Sequence, residues 1–142
     1  MVRINLINPK NLSDQHLIAE YNEILMLLGH LKKHGVNKNK IPKQYVLGKG
    51  HINFFKNKLK YLKQRHELIK KEMRARGFAT NKSISLKNFD KELHNYWSPS
   101  ERDLKVIKSR LTEKILLKPE YYRHNRSKIS TKELIKKIKH SD

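Results

Sequence analysis

At 142 residues the chain has the length of one ordinary domain, and 37% hydrophobic content allows one modest core beneath long polar segments. Lys and Arg number 33 against 13 Asp and Glu, a formal net charge of +20, so the natural partner is a polyanion: nucleic acid first, an anionic membrane surface second. The lack of cysteine excludes disulfides, Cys-ligated zinc, iron–sulfur clusters and thiol nucleophiles, and no apolar run has the form of a signal-peptide core or a membrane span, so a soluble, cytoplasmic protein is expected.

Residues 1–11 read as an ordered N-terminal arm. Ser13 or Asn11 can cap the first helix, with Asp14 favourably placed in its first turn. Leu17, Tyr21, Ile24, Leu28 and Leu31 follow helical spacing, which predicts a helix from about Asp14 to about His34 that stops at Gly35. Residues 36–50 form a basic loop punctuated by Pro42, Gly48 and Gly50, with Gly50 as the turn into the next helix. A second apolar stripe, Ile52, Phe55, Leu59, Leu62, Ile69 and Met73, predicts one long helix that ends at Gly77.

Residues 79–96 are less periodic, with Leu86 and Phe89 as anchors on the core. Ser98 to Glu101 reads as a helix start, and Leu104, Ile107, Leu111 and Ile115 carry a third stripe to about Leu117, before Pro119. The tail is aromatic and basic. Ser130-Thr131-Lys132-Glu133 resembles a capping box ahead of a short helix from Leu134 to Lys139, and no β alternation stands out. The expectation is an all-α fold: one compact domain of three main helices with an N-terminal arm, the helical domain covering residues 1–125 and a basic C-terminal extension residues 126–142.

Two constellations could carry chemistry. His16, Glu20 and Glu23, spaced four and three apart, share one face of helix one; Arg110 and Lys114, four apart, share one face of helix three. Charged residues at such spacing usually form a solvated face, and carboxylates in so basic a chain also serve as internal counter-charges. Tyr121 and Tyr122, followed by Arg123 and His124, suit stacking on bases and contact with phosphate, or else pin the tail to the core. Gly48-Lys49-Gly50 is too short for a phosphate-binding loop. His16 with Glu20 has a possible metal-ligand spacing, but no His-Glu-x-x-His pattern occurs, so no metal site is expected.

An ordered set of short strings then resembles one family, the pyrimidine-dimer DNA glycosylase/AP lyases. The set is Met1-Val2-Arg3-Ile4-Asn5-Leu6, Asp14-Gln15-His16-Leu17, Ala19-Glu20-Tyr21 with Glu23, Leu47-Gly48-x-Gly50-His51, Phe54-Phe55, Lys58-Leu59, Arg76-Gly77-Phe78, Arg110-Leu111-x-Glu113-Lys114-Ile115 and Pro119. The resemblance runs to about Tyr122, and the last twenty or so residues look particular to this chain.

The resemblance implies a compact three-helix fold with the N-terminus threaded into its middle. It implies an α-amine nucleophile, here Val2 after removal of Met1 (Met1 itself if it is retained), which attacks C1′ of the damaged nucleotide, displaces the base and leaves a Schiff base for β-elimination. It implies Glu23 as the acidic partner, Arg3, Gln15, His16, Arg110 and Lys114 as phosphate-facing residues, and no metal or other cofactor. Duplex DNA with ultraviolet damage or abasic sites is the implied partner, undamaged DNA is held weakly during scanning, and the protein acts as a monomer without a membrane. The chain departs from the family pattern at Val2, where threonine is common, and at Asn22 and Met26, where arginines grip DNA near the lesion. Tyr121 stands at a tryptophan position and His124 at a tyrosine. Elementary chemistry agrees with an amine nucleophile: an α-amine titrates near about 7.7–8.0 against about 10.4 for lysine, so roughly a tenth of it is unprotonated at neutral pH. Arg3 beside it disfavours protonation further.

Overall fold

The computed structural model describes residues 3–142. Helix α1 spans Asp14–His34, α2 His51–Phe55, α3 Leu59–Ala75, α4 Glu101–Leu117 and α5 Thr131–Lys139. Ser13 caps α1 by accepting the His16 N–H, and Gly35, at φ 68°, ends it as the spacing predicts. Ser100 and Asp103 close a reciprocal capping box on α4. At Gly77, φ 85°, the Phe78 N–H returns to the Met73 carbonyl and the Gly77 N–H to that of Arg74, a Schellman close to α3.

The second stripe does not make one helix. Residues 56–58 break it into α2 and α3, although the apolar spacing runs through without a gap. Here the side chains compete for the carbonyls: the Lys58 ammonium donates to the Phe54 carbonyl, and the buried Lys56 ammonium to the carbonyl of Gly35 at the end of α1. The Lys56 and Lys58 N–H groups close tighter bonds, three residues back.

Helices α1 and α3 pack together, and α5 packs on α4. One core joins them: Ile4, Ile7 and Leu12 of the arm, Leu17, Ile24 and Leu27 of α1, Leu59, Leu62 and Ile69 of α3, Ile107 of α4, and Leu134 and Ile138 of α5. Each such aliphatic side chain contributes about 1.5–3 kcal/mol by leaving water. Leu86 and Phe89 lie partly buried against this core, as expected, while Leu93 enters it from a short 3-10 turn. Among the described residues, no helix is long and apolar enough to cross a membrane.

The tail carries a small hairpin that its sequence did not announce, β1 (Arg123–His124) against β2 (Ser127–Lys128). Asn125 and Arg126 at its tip both have positive φ, the backbone that a tight two-residue hairpin turn requires. Their N–H groups donate to the Asp14 carboxylate, which fastens the turn to the start of α1.

Candidate active site at the N-terminal arm

The arm enters the helices without joining a sheet; the Ile7 N–H turns back to the Asn5 carbonyl, and other buried backbone groups are met by side chains. Five residues provide them. The Arg3 N–H donates to Glu23 Oε2 at 3.2 Å, the Ile4 N–H to His51 Nε2 at 2.9 Å and the Asn5 N–H to Glu20 Oε1 at 3.2 Å. The Tyr45 hydroxyl donates to the Ile4 carbonyl at 3.0 Å. Arg65 donates to the carbonyls of Leu6 and Ile7, and its guanidinium also grips the Glu20 carboxylate through Nε at 2.7 Å and Nη2 at 3.1 Å. Leu6 sits at φ 62°, a strained backbone for a branched residue, and Arg65 clasps the carbonyls on either side of the next peptide nitrogen.

His51 reaches Ile4 because Gly50, at φ 100°, starts α2 in a left-handed conformation. A Cβ there would stand 3.3 Å from Pro42, and the φ would strain any other residue. His51 Nδ1 donates to the Val46 carbonyl at 2.8 Å, which fixes the tautomer and leaves Nε2 to accept from Ile4. Burial lowers the pKa of this ring and keeps it neutral.

Beside the arm lies a cavity of about 370 Å³. Arg3 and Asn5 of the arm, His16, Ala19 and Glu23 of α1, and Arg110, Leu111 and Lys114 of α4 line it. Burial pushes the Glu23 carboxyl up to about 7, helped by the nearby Glu20 charge and opposed by the Arg3 N–H and guanidinium. Burial, then the charges of Arg3 and Lys114, drives His16 down to about 4. His16 is therefore a neutral ring at pH 7, with Nδ1 3.0 Å from the Ser13 hydroxyl and its face stacked on Tyr122, ring centroids 4.8 Å apart. Burial and the neighbouring Arg110 lower the Arg3 pKa. Three cationic side chains thus surround a carboxyl that titrates near neutrality, an arrangement able to hold phosphate and to exchange a proton beside it.

The two constellations read from helical spacing are not solvated faces. His16, Glu23, Arg110 and Lys114 converge on the one cavity, together with Arg3. Glu20 takes the counter-charge role instead, fully buried against Arg65. Gln15 lies outside the cavity lining, its amide spent on the tail: Nε2 donates to the Tyr121 carbonyl and Oε1 accepts from the Arg123 N–H. Asn22 is exposed and bonds back to the Ile18 carbonyl. Tyr122 pins the tail through His16, whereas Tyr121 is 54% exposed, with the Lys118 ammonium 4.9 Å above its ring. Val2, with Met1 before it, lies outside the described residues. Among the described residues, no three His, Asp or Glu side chains gather closely enough to hold a metal ion.

Sequence reasoning missed Tyr45 and Arg65 altogether and gave His51 no role. A signal for Arg65 was present: Arg65 and His66 stand between Leu62 and Ile69, on the stripe that α3 turns to the core. A cation in that register must find a buried partner.

The model of the pyrimidine dimer DNA glycosylase family matches residues 1–86. The chain belongs to that family. The match includes the whole arm, α1 and every residue that clamps the arm; Arg110, Lys114, Tyr121 and Tyr122 lie beyond it. A pyrimidine dimer DNA glycosylase is a DNA-repair enzyme, and its partner is ultraviolet-damaged DNA.

Proposed function

We propose that the chain excises cyclobutane pyrimidine dimers from duplex DNA and then nicks the strand as an AP lyase, through a Schiff base on the α-amine of Val2. The observation that carries this reading is the bond from the Arg3 N–H to Glu23, in a cavity where Glu23 titrates near 7. Arg3 directly follows Val2 in the sequence, so the bond fixes the backbone next to the proposed nucleophile. This reading has the Val2 amine act beside the Glu23 carboxylate.

The amine nitrogen attacks C1′, the C1′–N bond to the base breaks, and the base leaves with the bonding electrons and takes up a proton. Opening of the sugar ring, with a proton passed from Glu23 to O4′, gives an iminium at C1′. Glu23, as a carboxylate, stabilises this cation and accepts a proton from C2′; the C3′–O bond then breaks with loss of the 3′ phosphate. Water hydrolyses the imine and restores the amine. Electrons and protons balance, and no cofactor enters. Arg3, Arg110 and Lys114 hold the flanking phosphates. The neutral His16 ring contributes an N–H donor rather than a charge. C1′ is shielded in a stacked duplex, so a flipped-out nucleotide belongs to the same reading.

Borohydride trapping tests it, on duplexes carrying one thymine dimer, one abasic site or no damage. Covalent capture on the dimer duplex through Val2, located by mass spectrometry, is the expected result. Capture on the abasic duplex alone would keep the lyase and remove dimer excision. No capture from protein shown to begin at Val2 would overturn the mechanism.

A further inference from the structure

We propose that α5, with the flank of α4 turned away from the cavity, forms a second duplex-binding face, so that one molecule holds two DNA segments at once. The inference rests on DNA as the partner and not on the lyase chemistry.

The placement follows from α4. At 3.6 residues per turn, Lys105 and Lys108 project roughly 140–160° around the axis from the direction shared by Arg110 and Lys114. Arg110 and Lys114 line the cavity beside the arm, whereas Lys105 and Lys108 line a separate depression of about 360 Å³ with Lys139 of α5. Ser109 and Glu113 occupy the solvent side between the two flanks, and Glu113 is ion-paired with Arg110 at 3.4 Å. The two basic flanks thus face away from each other across α4, with Ser109 and Glu113 on the near rim of the second depression, and one straight duplex seated on the cavity does not reach the far flank.

Helix α5 is built to present charge there. Leu134 and Ile138 plug the core, which leaves Lys132, Lys136 and Lys139 as one exposed stripe on the opposite side. With a rise of 1.5 Å per residue, these lysines stand roughly 6 and 10 Å along the axis, a spacing suited to successive phosphates of one strand. Both ends of the helix are fixed. The Lys108 ammonium donates to the carbonyls of Lys139 and Ser141, the Asn8 N–H and Asn11 amide donate to the Ser141 hydroxyl, and the Glu120 N–H donates to Thr131 Oγ1. The stripe is therefore a rigid row of cations rather than a loose tail. Among the described residues, Lys105, Lys132, Lys136 and Lys139 make no ion pair with a carboxylate. Contacts of this kind are sequence-independent, so the second segment is undamaged duplex, and holding it allows direct transfer between segments during the search for damage.

The test is binding stoichiometry at low salt with two differently labelled undamaged duplexes, read by sedimentation. Native protein is expected to carry both duplexes on one monomer. The Lys105→Gln/Lys132→Gln/Lys136→Gln/Lys139→Gln variant is expected to stop at one duplex and to nick a short dimer-containing duplex at the native rate. A control that removes the same charge from other exposed lysines, Lys33→Gln/Lys40→Gln/Lys43→Gln/Lys49→Gln, should still carry two. Four phosphate contacts predict a slope of about −3 to −4 in log K against log salt for the second duplex. The proposal is overturned if native protein never takes a second duplex, if the α4–α5 variant still does, or if the control loses it equally. It also fails if the variant nicks the short duplex more slowly, or loses only anionic vesicles and not DNA. Native protein that carries two duplexes yet never nicks would retain this face and remove the lyase reading.

Discussion

The two ends of the chain both reach the first helix, and they are held there by different physics. The arm is held by its polar atoms: Glu20, Glu23, Tyr45, His51 and Arg65 each take a backbone group between Arg3 and Ile7. Such bonds are directional, and each buried group left unpaired costs about 1–3 kcal/mol, so the arm has one position. The tail is held by two buried aliphatic side chains, Leu134 and Ile138, and by hydrogen bonds accepted by the buried Asp14 carboxylate and the Lys10 carbonyl and exchanged with the Gln15 amide. Apolar burial sets the location of α5, and a few hydrogen bonds at its two ends, from Lys108, Asn8, Asn11 and the Glu120 N–H, hold it there. In the proposed mechanism the arm, which presents the amine, is the end built from backbone geometry, and the tail, proposed to meet a phosphate backbone, adds apolar area and charge.

The largest expected effect lies where the arm meets the cavity. Glu23→Gln preserves shape and an acceptor for the Arg3 N–H but removes the proton exchange. Single-turnover nicking of dimer DNA should fall by about 10² to 10⁴-fold, while binding changes little. The same variant should be more stable than the native protein. The folded state raises the Glu23 pKa from 4.5 to about 7, so the stability it retains when protonated is complete below pH 4.5 and lost as pH rises through 7. The melting-temperature gain of Glu23→Gln should therefore widen between pH 4.5 and 7 and level off above. A gain independent of pH would mean that Glu23 is not destabilised by burial, and normal nicking would remove it from the chemistry.

Next in size is the ion pair behind the arm. Arg65→Met leaves the Glu20 carboxylate buried without its counter-charge, at a cost of about 3–5 kcal/mol, measurable by urea unfolding. Combining it with Glu20→Leu removes the orphaned charge and should restore much of the stability. It does not restore the partners of Asn5, Leu6 and Ile7, so nicking should stay low in the stable double variant. Recovery of both together would show that the arm needs only packing, which would erase the contrast with the tail.

Much of this was legible in the sequence, for reasons that differ by element. Helix α1 begins and ends where Ser13 and Gly35 say it must, since a cap and a left-handed glycine are local devices. The convergence of His16, Glu23, Arg110 and Lys114 was reachable as two helix faces, but periodicity does not say which faces meet. The break at 56–58 was not legible, because Lys56 and Lys58 end the helix through carbonyls of Gly35 and Phe54, and the first of these is brought near only by the fold. The hairpin at 123–128 depends in the same way on the Asp14 carboxylate, which is remote in sequence. His51 stood among the family-like strings without a role, because a neutral acceptor is recognised only once its donor, the Ile4 N–H, is in place.

His51 gives a smaller, sharper test of the arm. His51→Leu leaves the Ile4 N–H without an acceptor, with an expected loss of about 1–3 kcal/mol. Nicking should fall while DNA affinity holds, because the cavity cations Arg3, Arg110 and Lys114 are themselves unchanged. His51→Gln places an amide oxygen near the position of Nε2 and should recover most of the rate. Equal rates in the Leu and Gln variants, compared at equal folded fraction, would show that the bond to Ile4 does not position the arm.

The smallest expected effect is at the tail, where two adjacent tyrosines should separate anchoring from DNA contact. Tyr122 is half-buried and stacked on His16, whereas Tyr121 meets it edge-on, 5.1 Å between centroids, with one side open to solvent. Tyr122→Leu keeps apolar bulk but loses the stack, worth about 0.5–1.5 kcal/mol, so it should lower the melting temperature slightly and barely alter binding to undamaged duplex. Tyr121→Ala should leave the melting temperature unchanged and weaken DNA binding, since an exposed ring beside Lys118 is placed to stack on a base. If both variants change stability and neither changes binding, both rings are anchors, and the tail meets DNA through charge alone.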